Sequence, residues 1–129
     1  MPLLRIDVVE GRSKEQLKLL CDCIHKAMVD AFHVPVTDRY QIVHQHQPET
    51  LLVEDTGLGY PRTSHLVVIS MVSRPRTAEA KVKFYELVCT RLGTECGVPP
   101  TDVVINISSN HDEDWSFGRG RAQFLTGEL

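Results

Sequence analysis

The sequence predicts an α+β fold in which two pseudo-symmetric βαβ units form one four-stranded mixed sheet with two helices on one face. Two observations carry this. The segment Val34-Pro35-Val36-Thr37-Asp38 returns as Val98-Pro99-Pro100-Thr101-Asp102, an ungapped offset of 64 residues. At the same offset the apolar stripe Leu20, Ile24, Met28, Phe32 is matched by Phe84, Val88, Leu92, Cys96. Each stripe runs i, i+4, i+8, which lines one face of a helix. Solenoid arrays need more than two units, so a pseudo-symmetric pair is the reading.

Each element follows in order. Residues 3–9 (LLRIDVV) are short and rich in branched side chains, as a strand requires. Ser13 is the expected N-cap of a helix with Glu15 two places on, running to about Phe32. A turn containing Pro35 leads to a strand at about 39–46. The second unit repeats the pattern, with a strand at 66–73, a cap at Thr77 followed by Glu79, a helix to about Cys96 and a strand at 103–109. Strand, helix and parallel strand imply a right-handed crossover, and a two-fold between the units sets the two first strands antiparallel. The other face of the sheet is expected to be mostly apolar and covered by further copies of the chain. The connector 47–65 and the tail after Asn110 have no counterpart in the other half, and Ala122-Gln123-Phe124-Leu125 reads as a short edge strand. Residues 1–129 are expected to form a single domain, with the pseudo-repeat at 2–46 and 66–110.

Composition narrows the function. A chain of 129 residues suits one compact domain with a real core. Its net charge of -3 argues against a nucleic-acid or anionic-membrane surface. No apolar run approaches the roughly 20 residues of a membrane span, and the amino-terminal segment lacks the pattern of a secretory signal, so a cytoplasmic location is expected. Cys21, Cys23, Cys89 and Cys96 form no CxxC pair and read as reduced structural thiols.

Chemistry concentrates on Pro2. Aminopeptidases remove an initiator methionine before a small residue, so the mature chain is expected to begin with proline and carry a free secondary amine. An α-amino group titrates near 8, within reach of neutral pH. The pseudo-two-fold sets the start of the first strand against the end of the strand at 66–73, bringing Pro2 near Ser73, Arg74 and Arg76. Two guanidiniums beside an amine repel one another unless an anion shares the space. A carboxylate substrate fits, since arginine presents paired donors to both oxygens. The other end of the duplication differs: Leu66 stands for Pro2 and Glu10 for Arg74, so one site per chain is expected. Asp38 is the candidate carboxylate partner of the amine, and Asp102 is expected to be structural.

Other constellations are weaker. His44 and His46 share a strand face without a third ligand, so no metal is expected and surface histidines are the reading. Gly118-Arg119-Gly120-Arg121 lacks the setting of a phosphate loop and is expected to shape the tail, with Arg119 or Arg121 paired to a neighbouring subunit.

An amino-terminal proline on a duplicated βαβ scaffold resembles the tautomerase superfamily. Pro2 together with DAFHVPVTDRYQ (30–41), EDTGLGYPR (54–62), SRPRT (73–77) and DWSFGRGRAQFLTGEL (114–129) is most similar to its malonate semialdehyde decarboxylase branch, over essentially the whole chain. The resemblance implies a tautomerase-like fold, a homotrimer, and decarboxylation of malonate semialdehyde to acetaldehyde and CO2 without cofactor. By position it makes Pro2 the catalytic amine, Asp38 its acidic partner, and Arg74 and Arg76 the carboxylate ligands. Trp115, Phe117, Phe124 and Leu129 fall where such proteins have an apolar wall. Related readings are a 3-haloacrylate dehalogenase or hydratase, a phenylpyruvate-type keto–enol tautomerase and a cytokine-like binding protein. In each enzyme reading the partner is a small 3-oxo or unsaturated acid.

Overall fold

A computed structural model describes residues 1–129. Strands β1 (Leu3–Val9), β2 (Gln41–His46), β3 (Val67–Ser73) and β4 (Val103–Ser109) form one sheet in the order β2-β1-β3-β4. β1 pairs parallel to β2 and β3 parallel to β4, while the central β1 and β3 are antiparallel with Leu3 opposite Val72. Helices α1 (Lys14–Phe32) and α2 (Ala78–Cys96) each have 19 residues. β3 and α2 begin 64 positions after β1 and α1, at residues 67 and 78 against 3 and 14.

The helix ends are where local chemistry puts them. Ser13 accepts the N–H of Gln16 at 3.1 Å, and the Gln16 side chain accepts the Ser13 N–H at 2.8 Å, closing a capping box. Thr77 accepts from the N–H of Ala80 at 3.1 Å. Both helices end in a left-handed residue, Gly97 in α2 and His33 in α1. Glycine takes that conformation freely, whereas His33 does so against a steric cost. β2 begins at Gln41 rather than residue 39 because Arg39 N–H turns back to Thr37 O at 2.9 Å. Likewise the Leu66 N–H bonds Thr63 O at 3.2 Å, so β3 begins one residue later.

Leu4, Ile6 and Val8 of β1 and Val67, Ile69 and Met71 of β3 point to the helices and join a cluster of 17 buried residues. Both predicted stripes lie in it except Cys96, which is half-buried at its edge. Phe84 is fully buried and stacks on Phe32 with ring centroids 5.4 Å apart. Phe84→Ala is expected to lower stability by about 3–5 kcal/mol through lost burial and a residual cavity. Val82→Ala, on the exposed side of α2, should stay within about 0.5 kcal/mol; urea unfolding of both variants checks the contrast.

Three expectations are corrected. The open face of the sheet is mixed rather than mostly apolar. Strand alternation puts Arg5, Asp7, Ser70, His44, His46, Asn106 and Ser108 there beside Leu3, Ile42, Val68, Val72 and Val104. The segment at 122–125 is no edge strand but the start of a short helix, α3 (Gln123–Thr126). Ala122 O accepts from Leu125 and Thr126, and Gly127 ends the turn with positive φ. Arg121 pairs with Glu128 of its own chain, Nε to Oε1 at 2.8 Å, instead of waiting for a neighbour. All four cysteines are free. Burial together with the Glu95 carboxylate, which accepts from its Sγ at 2.9 Å, pushes the Cys23 thiol up to about 12. No helix is long and apolar enough to cross a membrane.

Candidate active site

The antiparallel register of β1 and β3 sets the chain start beside the end of β3. Pro2 is buried next to Leu3, whose partner is Val72, and Ser73 is fully buried one step further. Arg74 and Arg76 follow on the short link to the Thr77 cap of α2.

The two arginines are held differently. Arg76 donates from Nε to Ser73 Oγ at 3.2 Å and from Nη1 to Phe32 O at 3.4 Å, and its guanidinium lies 5.3 Å from the Phe32 ring centre. It is thus fixed by the carboxyl-terminal end of α1, whose free carbonyls favour a cation. Arg74 lies over the Phe124 ring at 4.0 Å and its Nε is 2.7 Å from Asp112 Oδ1.

Asp38 is only 5% exposed. Its N–H bonds Pro35 O at 2.9 Å, closing the turn that follows α1. That turn is supported from below by buried His25, whose Nε2 lies 2.7 Å from Val36 O. A carbonyl only accepts, so Nε2 carries the proton of this ring.

The charges converge on the amino terminus. In the 129-residue chain the α-amino group sits on Met1, and it is held below its ordinary value of 8.0, first by burial and next by Arg76. Asp38 opposes that shift, Arg74 adds to it and Asp112 opposes it. Burial, and then Arg74, also lower Arg76, while Asp38 raises it. Three cationic groups and two carboxylates therefore share the site, and when the amine is protonated they leave one positive charge for an anion.

The tail closes one side. Trp115 is buried, donates from Nε1 to Asn110 Oδ1 at 2.8 Å and stacks on Phe117 at 5.4 Å. Phe117 meets Phe124 edge-on at 5.4 Å and Tyr40 at 5.6 Å. The wall thus joins the tail to the segment just after Asp38. Leu129 is not drawn into it: its side chain is exposed, although its N–H reaches Gln123 O at 3.3 Å.

The pseudo-equivalent end is built differently. Asp102 is fully buried and accepts from both the N–H, at 2.7 Å, and the hydroxyl of Thr63. Arg12 donates to His65 O at 2.9 Å. The connector supplies those partners, whereas Asp38 acts on the amino-terminal amine. The cleft of about 370 Å³ at the Arg12 end has Glu10 where the first site has Arg74. His44 Nδ1 and His46 Nε2 both face Asp7 Oδ1, at 3.6 and 2.6 Å, on the sheet surface. No group of three or more His, Cys, Asp or Glu side chains is arranged to hold a metal ion.

Sequence reasoning did not find His25, Tyr40 or Asp112, and it placed Ser73 near Pro2 without its role as an acceptor for Arg76. The acidic run Asp112-Glu113-Asp114 before Trp115 was a visible signal for Asp112; the others acquire a role only through contacts made by the folded chain.

A duplicated βαβ sheet with this amino-terminal cluster defines a tautomerase, and the chain belongs to that family. Two models described as tautomerase enzyme match it, over residues 38–118 and 2–60. Among its relatives, probable tautomerase YrdN of Bacillus subtilis (strain 168) is 54% identical over 129 residues, covering 100% of both chains. A crystal structure of malonate semialdehyde decarboxylase, described as a basis for decarboxylase and hydratase activities, superposes with a TM-score of 0.96 at 54% identity, covering 98% of each chain. A second malonate semialdehyde decarboxylase, inhibited by 3-bromopropiolate, superposes at 0.94 with 40% identity, over 98% of this chain and 97% of that one.

Proposed function

We propose that this tautomerase-family enzyme decarboxylates malonate semialdehyde to acetaldehyde and CO2, with Pro2 as the catalytic amine once Met1 is removed. The observation that carries this reading is the convergence of Arg74, Arg76 and Asp38 on the buried chain start. The similarity to malonate semialdehyde decarboxylase along 98% of the chain supports it.

The chemistry follows from the charges. Burial and two guanidiniums hold the Met1 amine below its ordinary value; the same surroundings would favour the neutral form of a Pro2 amine, and a neutral secondary amine attacks an aldehyde carbon. Loss of water leaves an iminium. The electrons of the breaking bond to the carboxylate carbon then move into it, CO2 departs and an enamine remains. A proton adds to the terminal enamine carbon, the one that had carried the carboxylate, and water hydrolyses the resulting iminium to acetaldehyde and free Pro2. In this scheme Asp38 carries the proton between amine, water and carbon. Arg74 and Arg76 anchor the carboxylate, and Trp115, Phe117 and Phe124 form the apolar wall that favours neutral CO2. No metal or organic cofactor is required by this sequence of steps. A protonated Pro2 that hydrogen-bonds the carbonyl oxygen is the competing route, stabilising the enolate electrostatically.

A hydratase acting on 3-haloacrylates is the second reading, favoured by the hydratase activity ascribed to the similar decarboxylase; Asp38 would then activate water. The proposed assembly is a homotrimer, as the resemblance implies. The proposed setting is the cytoplasm, where thiols stay reduced.

The test is CO2 release from malonate semialdehyde, set beside halide release from 3-chloroacrylate, with borohydride added during turnover. The expected result is CO2 release and a reduced two-carbon or three-carbon adduct on the amino-terminal peptide. Turnover without an adduct would exclude the iminium route, and halide release without CO2 would favour the hydratase.

A further inference from the structure

Arg76 is tied to the core by Ser73 and Phe32 and makes no ion pair within the chain, whereas Arg74 has a carboxylate already beside it. Asp112 belongs to the turn Asp112–Asp114 at the root of the tail, and its Oδ1 lies 2.7 Å from Arg74 Nε. We propose that Asp112 is a resident counter-ion for Arg74 that the carboxylate of the substrate displaces, so that it sets both the affinity of the site and its preference for singly charged acids. The inference rests on the reading of Arg74 and Arg76 as the carboxylate anchors.

Two features support it. The Arg74 and Asp112 side chains are 39% and 46% exposed. A pair so exposed is worth at most a few-fold in an equilibrium constant and yields readily to a better-placed anion. The charge balance points the same way. With the amine neutral, Arg74 and Arg76 are balanced by Asp38 and Asp112, so an incoming carboxylate is accommodated by displacing one of them, and a second negative charge is penalised. The ring of Phe124 holds the Arg74 guanidinium at 4.0 Å from the other side, so the arginine keeps its place when its partner changes.

Asp112→Asn provides the test, in the full-length chain. Trp115 is the only tryptophan and stacks on Phe117, which packs against Phe124 above Arg74. Its fluorescence therefore reports occupation of the site by propanoate, malonate and uncharged propanamide. Asp112→Asn is expected to bind propanoate about two- to five-fold more tightly, malonate by a larger factor, and propanamide no differently. Asp112→Glu should return both acids to wild-type affinity. KM for malonate semialdehyde is expected to fall with the propanoate Kd, while kcat moves less. Of the charges around the amine (Arg74, Arg76, Asp38 and Asp112), Asp112 is one of the two that raise its proton affinity. Its removal should therefore also move the amine's titration to lower pH, which a merely structural residue would not do. Unchanged or weaker binding of both acids in Asp112→Asn overturns the proposal, as does the absence of any saturable propanoate response in either protein. These titrations do not depend on turnover. A wild-type chain that binds propanoate but releases no CO2 refutes the decarboxylase reading alone. A working decarboxylase with no gain in Asp112→Asn refutes this one alone.

Discussion

Replacing Pro2 by alanine is expected to lower kcat/KM for malonate semialdehyde by about 10²- to 10⁴-fold, the range that a positioned proton-transfer group supplies. The variant still begins with an amine after Met1 is removed, so the effect isolates what the proline ring contributes. A secondary amine forms an iminium that is cationic without a further proton, whereas the imine of a primary amine must be protonated to accept electrons equally well. The ring also fixes the nitrogen at the head of β1, with φ restricted. Because residue 2 makes no ladder hydrogen bond that alanine would lose, the melting temperature should barely change. Steady-state kinetics and thermal unfolding on the same preparation check both halves, and full activity in the variant would remove the amine from the reaction.

Arg76→Ala is the second large effect. Arg76 is the arginine without a carboxylate partner in the chain, its donors anchored only by Ser73 Oγ and Phe32 O. Loss of its charge-assisted hydrogen bonds to a substrate carboxylate is expected to cost about 1.5–3 kcal/mol, or roughly 10- to 150-fold in kcat/KM. Arg76→Lys should recover only part of this, since an ammonium lacks the planar pair of donors.

The same variant tests the protonation state. After burial, Arg76 is the strongest influence holding the amine of Met1 below its ordinary value, and the same charge would act on the amine of Pro2 once Met1 is removed. Removal of Arg76 raises the amine's proton affinity, so at a given pH less of the amine is neutral. If the neutral amine is the nucleophile, activity rises as pH passes up through its titration, and Arg76→Ala should shift that limb to higher pH. A limb that stays in place would separate Arg76 from the amine. A limb that falls with pH would indicate that the protonated amine is the active form.

Much of this architecture was legible before any contact was known, for identifiable reasons. Residues Leu20, Ile24, Met28, Phe32 and their partners 64 positions on are fixed by helical period, and their burial follows from it. Ser13 and Thr77 were recognisable because a hydroxyl before a helix satisfies an otherwise orphaned N–H. The duplication was readable because turns and caps constrain residue type more tightly than exposed helix positions do. Pro2, Arg74 and Arg76 were reachable through the pseudo-two-fold, which converts a gap of more than seventy residues into one antiparallel register, while Asp38 was reachable as the acid of the turn after α1 and through the resemblance.

The rest was decided in three dimensions. Period alone does not settle a short segment, so Ala122–Leu125 read as a strand although no sheet edge was there to pair it. Arg121 found Glu128 because α3 turns the chain back on itself. Asp38 and Asp102 occupy equivalent turns, yet the connector brings Thr63 to Asp102, while Asp38 is left facing the chain start. Sequence by itself determined the repeat, the elements and the candidate amine, because these follow from local periodicity and from residue type. Only the tertiary structure decided which carboxylates and rings surround that amine, because Asp112, Phe124 and Tyr40 acquire their roles from packing between segments distant along the chain.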